Sequence, residues 1–240
     1  MTADLESQIE QTADGIWVIR GDSHLSKWVS LHHRLDIGEQ EIRLFSQYIP
    51  VGATVVDAGA SLGDHTLTYA KMVGPAGHVF AFEPHPAAVI CLGRNLREYP
   101  WVHVRRKALG DESGYAEFKK EDNAGASHIL RVNGSVKLSK SYETVRIRKL
   151  DRYLPLFERC DLLHLDCEGA EPKVLDGAAA LLAKFRPVIV LEVNHSALAR
   201  LGLAERDVHA TLTRHGYSWR ELDPATNASC EQRNLLATPL

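Results

Sequence analysis

Two acidic residues stand where a small molecule could bind. Asp57 precedes a glycine-rich turn, Asp57-Ala-Gly59-Ala-Ser-Leu-Gly63, and Glu83 ends the apolar run that begins at Val79. A carboxylate at the end of a strand can accept hydrogen bonds from both hydroxyls of a ribose. A pyrophosphate-binding turn of a dehydrogenase would read G-x-G-x-x-G, and this turn lacks that triple glycine. The pair therefore predicts a nucleoside site that is not built for a pyrophosphate.

The charge of the turn favours one kind of nucleoside. Asp57 would repel a pyrophosphate but suits the ammonium and sulfonium groups of S-adenosylmethionine. The glycines let the backbone approach a ligand, and the helix that follows offers free N–H groups. Glu83 has a second interpretation, since a carboxylate before Pro84 and Pro86 could simply stabilise the N-terminus of the next helix. We favour the cofactor interpretation because both acids occur in one strand–turn–helix pattern.

A second set of polar residues lies at the ends of two later apolar runs in the sequence. Asp166 and Glu168 come after the first run, and Glu192 and His195 end the second. Ligands of open α/β sheets bind at the carboxyl ends of the strands, so these residues should face an acceptor. Methyl transfer to a hydroxyl requires alignment and the removal of one proton. We predict Glu168 and His195 as candidate bases, with Asp166 beside them and with His33 and His128 next in line.

Each candidate base also has a structural interpretation. His195 could be an exposed loop histidine, and Glu168 could serve only to start the following helix. The carboxylates of Asp166, Glu168 and Glu192 could also bind Mg²⁺. Acidic groups equally suit a positively charged cofactor, however, and no histidine spacing demands zinc. We therefore predict no bound metal.

Short apolar runs that alternate with helical segments must position these residues. This pattern is typical of a parallel sheet that is covered by helices on both faces. The predicted strands are 54–57, 78–83, 102–105, 162–166 and 188–193, followed by 216–222 and 234–239, which close the sheet antiparallel. The predicted helices are 38–49, 63–73, 86–98, 171–185 and 204–215. The sequence thus predicts an α/β fold with a mostly parallel, seven-stranded, Rossmann-like sheet.

Two additional elements are predicted outside this sheet, an N-terminal hairpin and an insertion. Residues 15–20 and 24–29 read as a peripheral hairpin around Gly21-Asp22-Ser23, because apolar residues flank a turn triplet. Residues 113–150 read as short strands around a loop over 125–141, and this insertion would form a lid over the site. We therefore divide the chain into an N-terminal extension, 1–35, and a main domain, 36–240.

Composition limits the classes of protein to which the chain can belong. It has 240 residues, of which 45% are hydrophobic and 25% charged, as in an ordinary globular protein. The longest stretch without Asp, Glu, Lys or Arg, 44–56, is too short to span a membrane. A net charge of −3 argues against a general nucleic-acid partner and leaves a homo-oligomer open. The acidic N-terminus and four cysteines without a C-x-x-C pair indicate a cytoplasmic protein with reduced thiols.

The sequence resembles the FkbM-type S-adenosylmethionine-dependent methyltransferases from residue 36 to about residue 239. The matching motifs are Asp57-Ala-Gly-Ala-Ser-Leu-Gly-Asp-His-Thr66, Ala81-Phe-Glu-Pro84, Lys107-Ala-Leu-Gly-Asp111, Leu165-Asp-Cys-Glu-Gly-Ala-Glu171 and the strand over 187–192. The chain departs from the family at Ser61, where Asn is usual, and at His164, where Lys is usual. The Asp-x-Glu-Gly-x-Glu block is the most diagnostic of these motifs.

The resemblance implies a function and a set of cofactor residues. Members of the family that the sequence resembles commonly methylate hydroxyl groups of sugars and natural products. The resemblance therefore implies methyl transfer from S-adenosylmethionine to a hydroxyl of a small molecule or a saccharide. The cofactor residues that we expect are Asp57, Gly59, Ala60, Ser61, Gly63, Glu83, Pro84, Ala108 and Asp166. Two other functions stay open at this point, a nicotinamide-dependent oxidoreductase and a non-catalytic cofactor-binding protein.

Overall fold

A computed structural model describes residues 5–132, 142–222 and 231–240. Its strands are β1 (Ile9–Gln11), β2 (Trp17–Ile19), β3 (Thr54–Ala58), β4 (His78–Phe82), β5 (Val102–Arg105), β6 (Ala108–Leu109), β7 (Gly114–Lys119), β8 (His128–Val132), β9 (Tyr142–Arg148), β10 (Leu162–Leu165), β11 (Val188–Asn194), β12 (Tyr217–Glu221) and β13 (Gln232–Pro239). Its α-helices are α1 (Leu25–His32), α2 (Glu39–Ser46), α3 (Asp64–Val73), α4 (Pro86–Asn95), α5 (Glu171–Asp176), α6 (Ala179–Phe185), α7 (His195–Arg200) and α8 (Glu205–Arg214). Short 3₁₀ helices lie at Ala124–Ala126 and Leu150–Leu156.

The main sheet has seven strands in the order β12-β13-β11-β10-β3-β4-β5. The pairs from β5 to β11 are parallel, and β13 runs antiparallel between β11 and β12. Every residue of β3 and β10 is buried, as expected for central strands that are covered on both faces. The predicted fold class and all seven predicted strands are confirmed. The arrangement brings the carboxyl ends of β3, β4 and β10 to one edge.

The prediction of a single helix over 171–185 is wrong, because Gly177 separates α5 from α6. A Cβ atom at Gly177 would lie 2.0 Å from the Gly110 carbonyl oxygen, so the two backbones touch there. The Asp151 carboxylate then accepts hydrogen bonds from the Ala180 and Leu181 N–H groups, both at 2.9 Å. A new helix therefore starts after the glycine. The helix α7 was not predicted; the side chain of Asn194 caps it by accepting a hydrogen bond from the Ala197 N–H group at 3.1 Å.

The N-terminal hairpin exists, but it lies earlier in the chain than predicted. Strands β1 and β2 pair antiparallel, with Ile9 opposite Ile19. The predicted second strand, 24–29, is wrong, because these residues belong to α1 and the turn before it. Asp22 explains the difference, since its carboxylate accepts a hydrogen bond from the Ser26 N–H group at 2.7 Å in the first turn of the helix.

The inserted region forms a separate sheet with the order β6-β9-β7-β8. Its buried core consists of Ala108, Ala116, Phe118, Val145 and Ile147. The predicted short strands are confirmed, but the predicted loop over 125–141 is wrong in part, because β8 lies within it. Strand β8 forms because it pairs with β7 in an antiparallel ladder. Residues 133–141, the part of that loop after β8, lie outside the described residues.

The N-terminal extension packs against α4. The Asn95 side chain accepts a hydrogen bond from the Trp17 N–H group at 2.7 Å and donates to the Trp17 carbonyl at 3.0 Å. Val18, Val29, Ala87 and Cys91 share one buried apolar cluster. The boundary between 1–35 and 36–240 stays a prediction. Across the three described ranges, none of the helices has both the length and the apolar character needed to cross a bilayer.

Candidate active site

A cleft lies between the carboxyl edge of the main sheet and the small sheet. Its walls come from the ends of β3, β4 and β10 on one side and from β7 and β8 on the other. Eight of the residues predicted for the cofactor and the reaction line it, namely Gly59, Ser61, Glu83, Pro84, Ala108, His128, Asp166 and Glu168. The predicted residues therefore account for part of the cleft, mainly the edge that the main sheet supplies.

Glu83 is held in place by the backbone. Its two carboxylate oxygens accept hydrogen bonds from the Ser61 N–H group at 2.8 Å and from the His85 N–H group at 2.6 Å. Burial raises the pKa of Glu83 to about 7, although these two hydrogen bonds oppose the shift. Each carboxylate oxygen keeps a free lone pair, so Glu83 can still accept hydroxyl donors from a ligand. These features fit the predicted role in ribose binding.

Asp57, which we predicted as a cofactor residue, is not among the residues that line the cleft. Its side chain is fully buried, and its carboxylate accepts a hydrogen bond from the Thr66 hydroxyl on α3. The other oxygen lies 2.9 Å from Nδ1 of His164 on β10. The carboxylate therefore ties β3, α3 and β10 together behind the turn. This role explains why an acid is needed there without a direct ligand contact.

The two glycines of the turn are required by neighbouring protein atoms. Gly59 has φ +90°, and a Cβ atom there would lie 1.8 Å from the Asp166 carbonyl oxygen. Gly63 has φ +102°, and its Cβ would lie 2.8 Å from a methyl group of Leu92. Gly63 and the buried Ala60 lie behind the cleft wall, so neither is placed to contact a ligand. They shape the turn instead.

Three carboxylates meet at the Asp166 end of the cleft. One oxygen each from Asp166, Glu168 and Glu192 lies within 4.8 Å of the others. Burial and the charge of Asp166 raise the pKa of Glu168 to about 7, against the effect of Arg200. Burial and the neighbouring acids raise the pKa of Glu192 to about 9. A set of oxygen donors suits Mg²⁺ or the positive groups of a ligand equally well.

Glu168 has a constrained position within this cluster. Its backbone is left-handed, with φ +53°, which is uncommon for a residue other than glycine. Arg200 of α7 donates a hydrogen bond from Nη2 to Oε2 of Glu168 at 3.1 Å. The Glu168 carboxylate is therefore fixed at the cleft surface, with a pKa suited to accepting a proton near neutral pH.

The structure does not bring His195 into the cleft with Glu168. His195 begins α7, and its Nε2 atom lies 2.9 Å from the Glu205 carboxylate on α8. His33 is also outside the cleft and pairs with Asp14 at 2.7 Å. His128 does line the cleft, and its Nδ1 atom lies 2.9 Å from the Ala126 carbonyl oxygen. Glu168 and His128 are thus the predicted proton acceptors that the cleft contains.

Several cleft residues were missed by the sequence analysis. Asp64 and His65 follow Gly63 at the start of α3, and their side chains are 3.4 Å apart. Their place directly after the glycine turn was a signal that could have identified them. His24 and Leu25 gave no such signal, because their segment was predicted as a peripheral strand.

The chain is similar to known methyltransferases. The family model described as the methyltransferase FkbM domain matches residues 57–219. The chain is similar to the 2-O-methyltransferase NoeI of Sinorhizobium fredii, with 25% identity over 166 residues, which cover 63% of this chain and 67% of that protein.

Two solved structures are similar in fold. Methyltransferase FkbM from Methylobacillus flagellatus has a TM-score of 0.52 and 16% identity, over 78% of this chain and 44% of that one. Aeropyrum pernix fibrillarin, in complex with natively bound S-adenosyl-L-methionine, has a TM-score of 0.50 and 14% identity, over 83% of this chain and 74% of that one. With the family match over residues 57–219, the chain belongs to the FkbM family of methyltransferases.

Proposed function

We propose that the protein transfers a methyl group from S-adenosylmethionine to a hydroxyl oxygen of a small molecule or a saccharide, with Glu168 as the base. The observation that carries this proposal is that one cleft holds both Glu83 and the constrained Glu168 carboxylate. The similarity to a protein named a 2-O-methyltransferase supports oxygen as the acceptor atom.

The residues of the cleft divide the work of such a transfer. When bound, S-adenosylmethionine supplies a methyl group on a sulfonium. Glu83 would hold the ribose, and Asp166 lies where it can attract the positive end of the cofactor. Glu168 would orient the acceptor hydroxyl and take its proton as the new carbon–oxygen bond forms. The cleft walls would hold the reacting groups in line.

The acceptor class can be tested with labelled S-adenosylmethionine. We expect label to enter saccharides or small polyols as a base-stable methyl ether, and we expect acceptors with blocked hydroxyls to take up none. Amines and carboxylic acids of similar size serve as competing acceptors. Methylation of nitrogen or carbon, or of a carboxylate, would contradict the proposal while leaving the family assignment intact.

Cofactor affinity should depend on pH through Glu83. A carboxylate accepts ribose hydroxyls, whereas its protonated form has lost part of that capacity. Because the pKa of Glu83 is raised to about 7, affinity should be constant above that pH. Below it, affinity should fall by up to about tenfold per pH unit. Calorimetric titration with S-adenosylhomocysteine between pH 5.5 and 8.5 measures this, and Glu83→Gln should remove the dependence.

Activity should persist without a divalent cation, as the sequence analysis predicts. The positive groups of the cofactor can balance the charge of Asp166 and Glu168, so no ion is required for binding. We expect a chelator to change turnover less than about twofold. Loss of activity with a chelator and its recovery with Mg²⁺ would instead make Asp166, Glu168 and Glu192 metal ligands.

The cytoplasmic location and the small-molecule or saccharide partner stay predictions. Burial raises the thiol pKa values of Cys91 to about 12 and of Cys160 beyond the ordinary range, so both thiols are protonated and unreactive. Their burial supports a packing role for Cys91 and Cys160.

A further inference from the structure

Part of the cleft comes from residues that precede the family match. The match begins at residue 57, whereas His24 and Leu25 line the cleft from the start of α1. Leu25 packs against the apolar cluster that contains Ala88 of α4, and Ala88 also lines the cleft. Since Glu83 and Pro84 immediately precede α4, Leu25 lies at the Glu83 end of the cleft.

Asp22 joins this segment to the small sheet. One of its carboxylate oxygens accepts a hydrogen bond from the Ser26 N–H group in α1 at 2.7 Å. The other accepts a hydrogen bond from the Ala124 N–H group at 2.8 Å, at the start of the 3₁₀ turn that lines the cleft. The Ser23 N–H group donates to the Asp122 carbonyl at 3.1 Å. One buried carboxylate therefore connects both sides of the cleft mouth.

The N-terminal segment and the small sheet both contact the wall of the cleft that contains Glu83. On the N-terminal side, the Asn95 side chain of α4 bonds to the backbone of Trp17 and also donates to the Leu62 carbonyl at 3.0 Å. On the other side, Phe118 of β7 contacts the His85 ring edge to face, with 6.0 Å between ring centroids. Burial and Lys120 lower the pKa of His85 to about 4, so this ring is neutral. The N-terminal segment and the small sheet together form a roof over the Glu83 end of the cleft, where the nucleoside would bind.

We propose that the N-terminal segment is part of the cofactor site, with His24 and Leu25 contacting the bound nucleoside and Asp22 acting as the positioning residue that holds them. The proposal rests on the proposed function only in placing the ribose at Glu83. An Asp22 variant that cannot accept hydrogen bonds leaves the Ser26 and Ala124 N–H groups without their acceptor. The roof would then open more readily, and the nucleoside would dissociate faster.

The test measures binding of S-adenosylhomocysteine by calorimetry and its dissociation by stopped flow. Leu25→Ala should weaken binding by about fivefold to tenfold through lost apolar contact. Asp22→Ala should weaken it by about tenfold or more, mainly through faster dissociation, and Asp22→Asn should lie between that variant and wild type. Hydrogen exchange at the Ala124 amide should be slow in the wild-type complex and faster in Asp22→Ala.

Asp14→Ala is the matched control, because Asp14 lies in the same segment and pairs with His33 outside the cleft. It should bind S-adenosylhomocysteine as the wild type does. Wild-type affinity and dissociation rate in both Leu25→Ala and Asp22→Ala would overturn the proposal. If Asp22→Ala fails to fold, Leu25→Ala and His24→Ala decide. Absence of binding by the wild type would instead contradict the cofactor site itself.

Discussion

Glu168→Gln is expected to lower turnover by about 10² to 10⁴ while leaving cofactor affinity nearly unchanged. Glutamine keeps the size of the side chain and a hydrogen-bonding oxygen for Arg200, but it cannot take a proton from an acceptor hydroxyl. Loss of a group that acts in the transition state lowers turnover without weakening ground-state binding. Turnover, acceptor KM and the dissociation constant of S-adenosylhomocysteine are the quantities to compare.

The pH profile gives the same prediction an independent test. Glu168 must be ionised to accept a proton, and its pKa is raised to about 7. Wild-type turnover should therefore decline as the pH falls through 7, and this acidic limb should be absent in Glu168→Gln. Glu158→Gln, at an exposed position, is the matched control. If Glu168→Gln turns over like the wild type, then His128 becomes the candidate base or alignment alone accounts for the rate.

Glu83→Ala should weaken S-adenosylmethionine binding by about tenfold to a hundredfold. Charge-assisted hydrogen bonds of this kind contribute about 1.5–3 kcal/mol, and alanine also leaves the Ser61 and His85 N–H groups without their acceptor. Turnover at saturating cofactor should change much less, because the role proposed for Glu83 is to hold the ribose and not to take the proton. Titration with S-adenosylmethionine and with NAD measures both affinity and preference.

Glu98→Ala is the control for this variant, since Glu98 is exposed just beyond the end of α4. It should bind the cofactor as the wild type does, and the wild type should prefer S-adenosylmethionine to NAD. Equal binding by Glu83→Ala and the wild type would remove Glu83 from the cofactor site.

The parallel core of the fold was predictable because burial on both faces leaves a direct trace in sequence. Strands β3, β4 and β10 are short, mostly apolar runs, and acidic residues directly follow β4 and β10 at the same sheet edge. Glu83 and Glu168 were found by this argument. Contacts between distant segments leave no comparable trace. The Asp57–His164 contact joins residues 107 positions apart, so the burial of Asp57 away from the cleft could not be predicted.

The same limit explains the errors at the periphery. The residues around Trp28 have apolar character that suits a strand or a helix equally well, and the hydrogen bond from the Ser26 N–H group to Asp22 favours the helix. Gly177 interrupts a continuous helical pattern only because the Gly110 backbone passes against it. His195 follows a strand end, as a catalytic residue often does, but Glu205 of α8 holds it outside the cleft.

A crystal structure with S-adenosylhomocysteine tests the central claim, that this one cleft holds the cofactor and presents its reacting end to Glu168. We predict that the ribose hydroxyls bond to the Glu83 carboxylate, that the adenine lies near Ala108 and that the homocysteine end points toward Asp166 and Glu168. A ligand bound outside the cleft, or bound in the reverse direction with its adenine at Glu168, would contradict the account.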